Sequence, residues 1–407
     1  MSKAFDTLDH NILLHKLQFY GFSNSSLQWF SSYLCNRKQF VVLENSSSSL
    51  LPILTGVPQG SILGPLLFLI YVNDLSHSTE AETIMYADDT CLLIPLVIDT
   101  STSFSKSDTL NQSTQINKTL SYLHDWLSVN KLSLNINKTK FMLFHFYQKQ
   151  IKKFHVPTLT INNINIEMVD NFKFLGLNLD STLSWSKHIN EISNKLSKIN
   201  GMLSILKKYM PPKILFMMYN SLFLSQLNYC ITVWGFGNYS RIKIIQKRAL
   251  RNISKSKYNC HTKQIAFNLK TLFIDDIFKL SCIKFYFKYK NKLLPSYFTN
   301  QIFFPQINHS LRHSTRHSKQ PMQFNQFITN FPNTHPVMPL ILTNKNTSTK
   351  CLRFYLPDLL NTHYLPEIAL TKINTHSFIS FVAYCKKIII NQYNEICTLS
   401  HCYICQR

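Results

Sequence analysis

Two adjacent aspartates, Asp88 and Asp89, stand in the run Thr83-Ile84-Met85-Tyr86-Ala87-Asp88-Asp89-Thr90-Cys91-Leu92-Leu93-Ile94. Apolar residues on both sides read as strand, tight turn, strand, with the acids at the turn. Two carboxylates this close need a cation or open water, because neither can be buried cheaply. Oxygen ligands on a rigid hairpin suit Mg²⁺, which keeps positions for water and phosphate oxygens. A solvated turn is the commoner setting of an isolated Asp-Asp pair, so the rest of the chain must decide.

Glycine narrows the choice. Only eight occur and none lies beyond Gly237, yet three fall in Leu54-Thr55-Gly56-Val57-Pro58-Gln59-Gly60-Ser61-Ile62-Leu63-Gly64-Pro65. A chain this poor in glycine that clusters it is asking for unusual backbone angles or the close approach of a ligand. Gly60-Ser61 ahead of an apolar run to Asn73-Asp74-Leu75 also suits a loop opening a buried helix. That second use is structural and carries no chemistry.

Ala4-Phe5-Asp6, Gly56-Val57-Pro58-Gln59-Gly60-Ser61 and Tyr86-Ala87-Asp88-Asp89 occur in the order and spacing of the reverse-transcriptase palm. Ser2-Lys3-Ala4-Phe5-Asp6-Thr7-Leu8-Asp9-His10 and Gly64-Pro65-Leu66-Leu67-Phe68-Leu69-Ile70-Tyr71-Val72-Asn73-Asp74-Leu75 resemble the non-LTR (LINE-type) retrotransposon polymerases of the jockey and CR1 kind. Asn130-Lys131-Leu132-Ser133-Leu134-Asn135-Ile136-Asn137-Lys138-Thr139-Lys140 is similar to that family's fourth palm motif, and Phe172-Lys173-Phe174-Leu175-Gly176 to its primer-grip hairpin. Five ordered motifs are a specific match where any single one is not.

The resemblance implies an α+β polymerase palm, an antiparallel sheet backed by helices, over residues 1–180. A basic helical thumb would follow over 181–295, and a C-terminal extension over 296–407. It implies RNA-directed DNA polymerisation by two-metal nucleotidyl transfer, with an RNA template, a DNA primer and dNTPs as substrates and Mg²⁺ or Mn²⁺ as cofactor. Asp88 and Asp89 would hold the metal. Phe5 would be the aromatic gate at the sugar, Gln59 and Gly60 would meet the incoming nucleotide, and Lys138 would sit near the pyrophosphate, ahead of Lys140. In that family an aspartate and one further residue precede Ser-Lys-Ala-Phe-Asp, whereas here Met1 stands directly before Ser2. The finger strands are missing as well. The expectation for this chain as it stands is therefore an N-terminally truncated polymerase, inactive or nearly so. Two alternatives are a non-catalytic RNA- or DNA-binding remnant and a viral or intron-encoded polymerase, though Ala-Asp-Asp and Pro-Gln-Gly are the reverse-transcriptase forms.

Charge points to the same partner. The 407 residues carry a net +23, unevenly placed: residues 1–180 hold 13 Lys+Arg against 14 Asp+Glu, and 181–407 hold 30 against 6. An excess on one portion favours a polyanion. Lys195 and Lys198 on one helical stripe, and Arg241, Lys247, Arg248 and Arg251 on another, are the candidate nucleic-acid contacts. No apolar run reaches the roughly 18 residues of a membrane span, and no secretory signal is visible, so an intracellular protein with no membrane partner is expected. Ten scattered cysteines read mainly as reduced core residues. Cys397, His401, Cys402 and Cys405 have the residue types of a zinc site but no ordered second pair.

The elements that must position these residues follow from periodicity. Asp9-His10 read as a helix N-cap. Asp99–Asn111 is Ser/Thr-rich and reads as an exposed loop. A helix should follow over Ile116–Val129, and a strand pair over Leu159–Ile166. Ile189, Ile192, Leu196, Ile199, Leu203 and Leu206 form an inward stripe over 185–208. Pro211-Pro212 opens a second helix running through Met217, Leu222 and Leu227. Tyr286, Phe287 and Tyr289 could stack on bases, but core packing is the preferred reading.

Overall fold

A computed structural model describes residues 1, 3–44, 46–96, 106–144, 158–295, 298, 359, 372–373 and 376–394. The chain divides into two compact units, Met1–Phe172 and Lys173–Arg407.

In the first unit a single 3₁₀ turn (Ala4–Asp6) leads to α1 (His10–Phe19), followed by α2 (Asn24–Leu34). Asp9 caps α1 as expected, its side chain accepting from the backbone N–H groups of Asn11 and Ile12. Short strands β1 (Lys38–Gln39) and β4 (Leu51–Pro52) pair antiparallel, as do β2 (Val42–Leu43) and β3 (Ser46–Ser47) between them. The apolar run becomes α3 (Leu63–Val72), started by Ser61, whose hydroxyl accepts from the Gly64 amide at 2.9 Å. β5 (Glu82–Tyr86) and β6 (Asp89–Leu93) form the antiparallel hairpin, with Tyr86 opposite Asp89.

The next helix, α4, spans Lys106–Val129 and so takes in Lys106–Asn111, which the composition assigns to a loop. That stretch contains no Gly or Pro. Ser and Thr cost a helix only a few tenths of a kcal/mol each, so an anchored helix runs through them. Beyond α4 lie β7 (Lys140–Phe141), the hairpin β8 (Thr160–Ile161) and β9 (Ile164–Asn165), and β10 (Glu167–Met168), which pairs parallel with β7. Among the described residues every sheet is two-stranded. Helices and strands share one core of Leu8, Leu13, Leu17, Leu67, Phe68, Tyr71, Leu127 and Leu132, against which Met85 and Leu92 of the hairpin pack.

Strands β11 (Asn171–Phe174) and β12 (Leu177–Asp180) make a further hairpin, and the boundary between the units falls within β11. Asp180 closes the turn after it by accepting from the amides of Thr182, Ser184 and Trp185, which launches α5 (Ser186–Leu206). Ile189, Ile192, Leu196 and Leu203 are buried as the stripe requires, and Ile199 and Leu206 pack at its margin.

α6 (Pro212–Met218) runs through a π-helical stretch, Tyr219–Leu224, into α7 (Ser225–Asn228). The helix expected from Pro211-Pro212 is present, with the π-helical stretch inside it. Met217 and Leu222 are 58% and 41% exposed, while Leu215, Tyr219, Phe223 and Leu227 are buried. A π turn is wider than the 3.6 residues of an α turn, so every fourth residue stays on one face instead of drifting off it. After α8 (Ile231–Trp234) come α9 (Ser240–Ile253), α10 (Thr262–Asn268), α11 (Ile274–Lys290) and α12 (Phe378–Asn391). Phe287 is buried against Phe381 and Tyr286 lies at the edge of the core, in keeping with packing rather than base stacking. No described helix is long and apolar enough to cross a membrane.

Candidate functional site

The hairpin tip is a two-residue turn, Ala87-Asp88, with Asp89 the first residue of β6. Ala87 takes φ +53°, which leaves Asp88 half-buried and Asp89 exposed. Among the described residues neither carboxylate has an ion-pair partner. The tip is not isolated from the first motif, because the Met1 backbone nitrogen lies 3.5 Å from the Asp88 carbonyl oxygen.

The first and second motifs are joined directly. Val57 N–H donates to the Phe5 carbonyl at 2.9 Å and Gly56 N–H to the Leu8 carbonyl at 2.7 Å. The Thr55 hydroxyl donates to the Asp6 carbonyl at 2.9 Å, and buried His10 donates from Nε2 to the Gly56 carbonyl at 2.7 Å. Gly56 sits at φ +84°, and a Cβ there would lie 2.7–2.8 Å from the Asp6 backbone. Both reasons for glycine therefore meet at this residue. Gly60, at φ +77°, has open space around it, so only its backbone angle asks for glycine. Gln59 projects from the same loop, exposed, and its Nε2 donates to Asp6 Oδ1 at 2.7 Å. The Phe5 ring packs on Phe68 of α3 with centroids 4.5 Å apart.

The fourth motif is tied to the first by contacts that residue types alone did not reveal. Lys131 Nζ reaches Asp9 Oδ2 at 2.6 Å, and this hydrogen bond holds the Asp9 carboxyl below its ordinary range. The buried Tyr71 hydroxyl donates to the Asn130 carbonyl at 2.7 Å, and burial pushes its pKa up to about 12. Lys16, deprotonated more readily than usual because it is buried, bridges the Tyr71 carbonyl and Asp74. Lys138 closes a short 3₁₀ turn and is exposed, with no side-chain partner among the described residues. Its neighbour Lys140 is committed to Glu167 at 2.5 Å.

In the second unit, Arg241, Lys247 and Arg248 are exposed on the outer side of α9, opposite buried Ile242, Ile245, Ala249 and Leu250. Arg251 is different: its Nε donates to the Cys260 carbonyl at 2.9 Å and its guanidinium lies over Tyr258. Lys195 and Lys198 are exposed on α5. Cys397, His401, Cys402 and Cys405 lie outside the described residues.

Residues 1–179 match the model of the family described as reverse transcriptase (RNA-dependent DNA polymerase). The chain carries a reverse transcriptase domain. It is similar to the RNA-directed DNA polymerase from mobile element jockey of Drosophila funebris, with 27% identity over 293 residues, covering 68% of this chain and 30% of that protein. The probable RNA-directed DNA polymerase from transposon BS of Drosophila melanogaster is 26% identical over 280 residues, covering 63% of this chain and 28% of its own length. A third, from transposon X-element of the same fly, is 27% identical over 224 residues, covering 53% of this chain and 23% of its own length. The chain therefore spans less than a third of these relatives. Residues 1–179 are thus matched by the reverse transcriptase family, the chain is similar to polymerases of the jockey-like, non-LTR type, and the palm fold that the family implies agrees with the α+β first unit.

Reverse transcriptases generally use divalent metal ions. Among the described residues no group of three or more His, Cys, Asp or Glu is placed to hold one. Among the described residues the Asp88 and Asp89 carboxylates form no ion pair, and two adjacent oxygen donors of this kind fit part of a hard-cation shell completed by water or phosphate oxygens.

Proposed function

We propose that this chain contributes the palm and thumb of an RNA-directed DNA polymerase acting on an RNA template, a DNA primer and dNTPs. The supporting observation is that all four palm motifs rest on one core: Phe5 and Val57 bonded together, Met85 and Leu92 packed beneath the hairpin, and Leu132 beside Lys131 and Asp9. Asp88 and Asp89 would hold Mg²⁺ or Mn²⁺. The bound ion would supply positive charge to the attacking 3′ oxygen and the departing pyrophosphate. Phe5, held on Phe68, would pack against the sugar. Gln59 and Gly60 would border the base-pair pocket, with Gly60 letting the backbone come close. Lys138 would neutralise phosphate charge. Residues 181–295 would act as the thumb, with Lys195, Lys198, Arg241, Lys247, Arg248 and Arg251 against the duplex backbone, and residues 296–407 would form an extension.

A second reading, a non-catalytic nucleic-acid-binding protein, is favoured by the outward cationic side of α9, which owes nothing to Asp88. One experiment separates the two. Primer extension on poly(rA)/oligo(dT) and heteroduplex binding are measured for the chain with and without Asp88→Ala. The polymerase reading expects Mg²⁺-dependent extension that Asp88→Ala abolishes. Extension untouched by Asp88→Ala would sink the polymerase reading. Heteroduplex binding without extension in any variant would select the second.

A further inference from the structure

We propose that Asp6 is a positioning residue: its carboxylate turns the Gln59 side chain so that Oε1, an acceptor, faces the incoming nucleotide. This rests on the polymerase reading above. The contact is Gln59 Nε2 donating to Asp6 Oδ1 at 2.7 Å. An ionised carboxylate offers only acceptors, so the end of the amide that meets it must be the NH₂ group. The carbonyl end is thereby aimed away from Asp6. Without such a partner an exposed glutamine amide can present either end.

Three features make Asp6 a rigid reference point. Its own carbonyl accepts from the Thr55 hydroxyl at 2.9 Å, and the carbonyl of its neighbour Phe5 accepts from Val57 N–H at 2.9 Å. Gly56, lacking a side chain, lets the loop lie directly on the Asp6 backbone. Among the described residues no cation pairs with the exposed Asp6 carboxylate, which leaves Oδ1 to accept from Gln59. Because Gln59 lies only three residues from Gly56, the two ends of the hydrogen bond cannot drift apart independently.

The test uses the full chain. Readouts are the dNTP dependence of primer extension and the equilibrium binding of a fluorescent dNTP analogue to the protein–template–primer complex. Asp6→Asn can both donate and accept, so it removes the directional preference at nearly constant shape. KM and the analogue's Kd are expected to rise about three- to tenfold with kcat within about twofold, the size that one exposed charge-assisted hydrogen bond supports. Asp6→Glu, which keeps the charge, should recover part of the loss. In a Gln59→Ala background Asp6→Asn should have no further effect.

Unchanged nucleotide affinity in Asp6→Asn, or a loss that persists in the Gln59→Ala background, would overturn the assignment. The second outcome would leave Asp6 a merely structural residue. Asp88→Ala tells the two readings apart. If it leaves extension intact, the polymerase reading fails. If it abolishes extension while Asp6→Asn changes nothing, only the role of Asp6 fails. Absence of analogue binding in every variant would overturn both.

Discussion

The closest approach in the site is between the Gly56 loop and the first motif, and a glycine series measures it. Gly60→Ala meets no atom within 4 Å but must hold φ +77°. Placing an L-residue there costs about 1–2 kcal/mol, offset by about 0.5 kcal/mol from a less flexible unfolded chain, for a net of about 1 kcal/mol. Gly56→Ala carries the same conformational cost at φ +84°. In addition its Cβ would fall 2.7 Å from the Asp6 Cα and 2.8 Å from the Asp6 carbonyl carbon and oxygen. These are backbone atoms, so no side chain can swing aside. Overpacking of this kind adds about 1–3 kcal/mol, which brings the expected loss to about 3 kcal/mol. Urea unfolding, followed by hydrogen exchange of the α1 and α3 amides, reads the first unit alone. Because relief of the clash must push Asp6 and Phe5 away from the loop, Gly56→Ala should also weaken dNTP binding more than Gly60→Ala does. Equal losses of stability in the two variants would refute the close-approach argument.

Asp9→Ala should cost about 1–2 kcal/mol through loss of the α1 cap, whereas Lys131→Met, whose ammonium group is mostly exposed, should cost under about 0.5 kcal/mol. A larger loss for Lys131 in urea melts would mean that the ion pair, not the cap, dominates. Burial between Trp185 and Trp234 lowers the proton affinity of His188; Glu191 opposes this, and Lys195 and Lys173 add to it. The unfolded chain therefore takes up this proton first. The stability that His188 contributes to the second unit should be full above about pH 6.5 and decline by up to about 1.4 kcal/mol per pH unit from there down to its folded-state pKa. Melts between pH 7.5 and 5.5 check this, and a slope that His188→Gln fails to flatten would count against it. Replacing Lys247 and Arg248 together with alanine should reduce the salt dependence of heteroduplex binding by about two units of log K per log salt. Arg251→Ala should in addition lower stability, because its guanidinium holds the Cys260 carbonyl. An unchanged slope for the double variant would remove α9 from the interface.

What was legible in the chain was local. Asp9 as a cap, the Asp88 hairpin, the helix after Gly60-Ser61 and the stripe on α5 each depend on neighbours within a turn or a strand. The π-helical stretch from Tyr219 escaped because periodicity assumes 3.6 residues per turn, and the start of α4 escaped because Ser and Thr suggest loops more strongly than they oppose helices. The links between motifs were the least visible. Lys131 and Asp9 are 122 residues apart, Tyr71 and Asn130 are 59, and Gln59 and Asp6 are 53. No spacing rule pairs such residues; only the shared core brings them together. That division has a consequence for the site. The residues that would perform chemistry are half-buried or exposed and make few contacts of their own, so their geometry is borrowed from the buried Leu8, Phe68, Tyr71 and Leu132. Substitutions in that layer should therefore alter nucleotide handling without touching a nucleotide. Tyr71→Phe is the sharpest case, because it keeps the ring in the core but releases the Asn130 carbonyl and with it the start of the fourth motif.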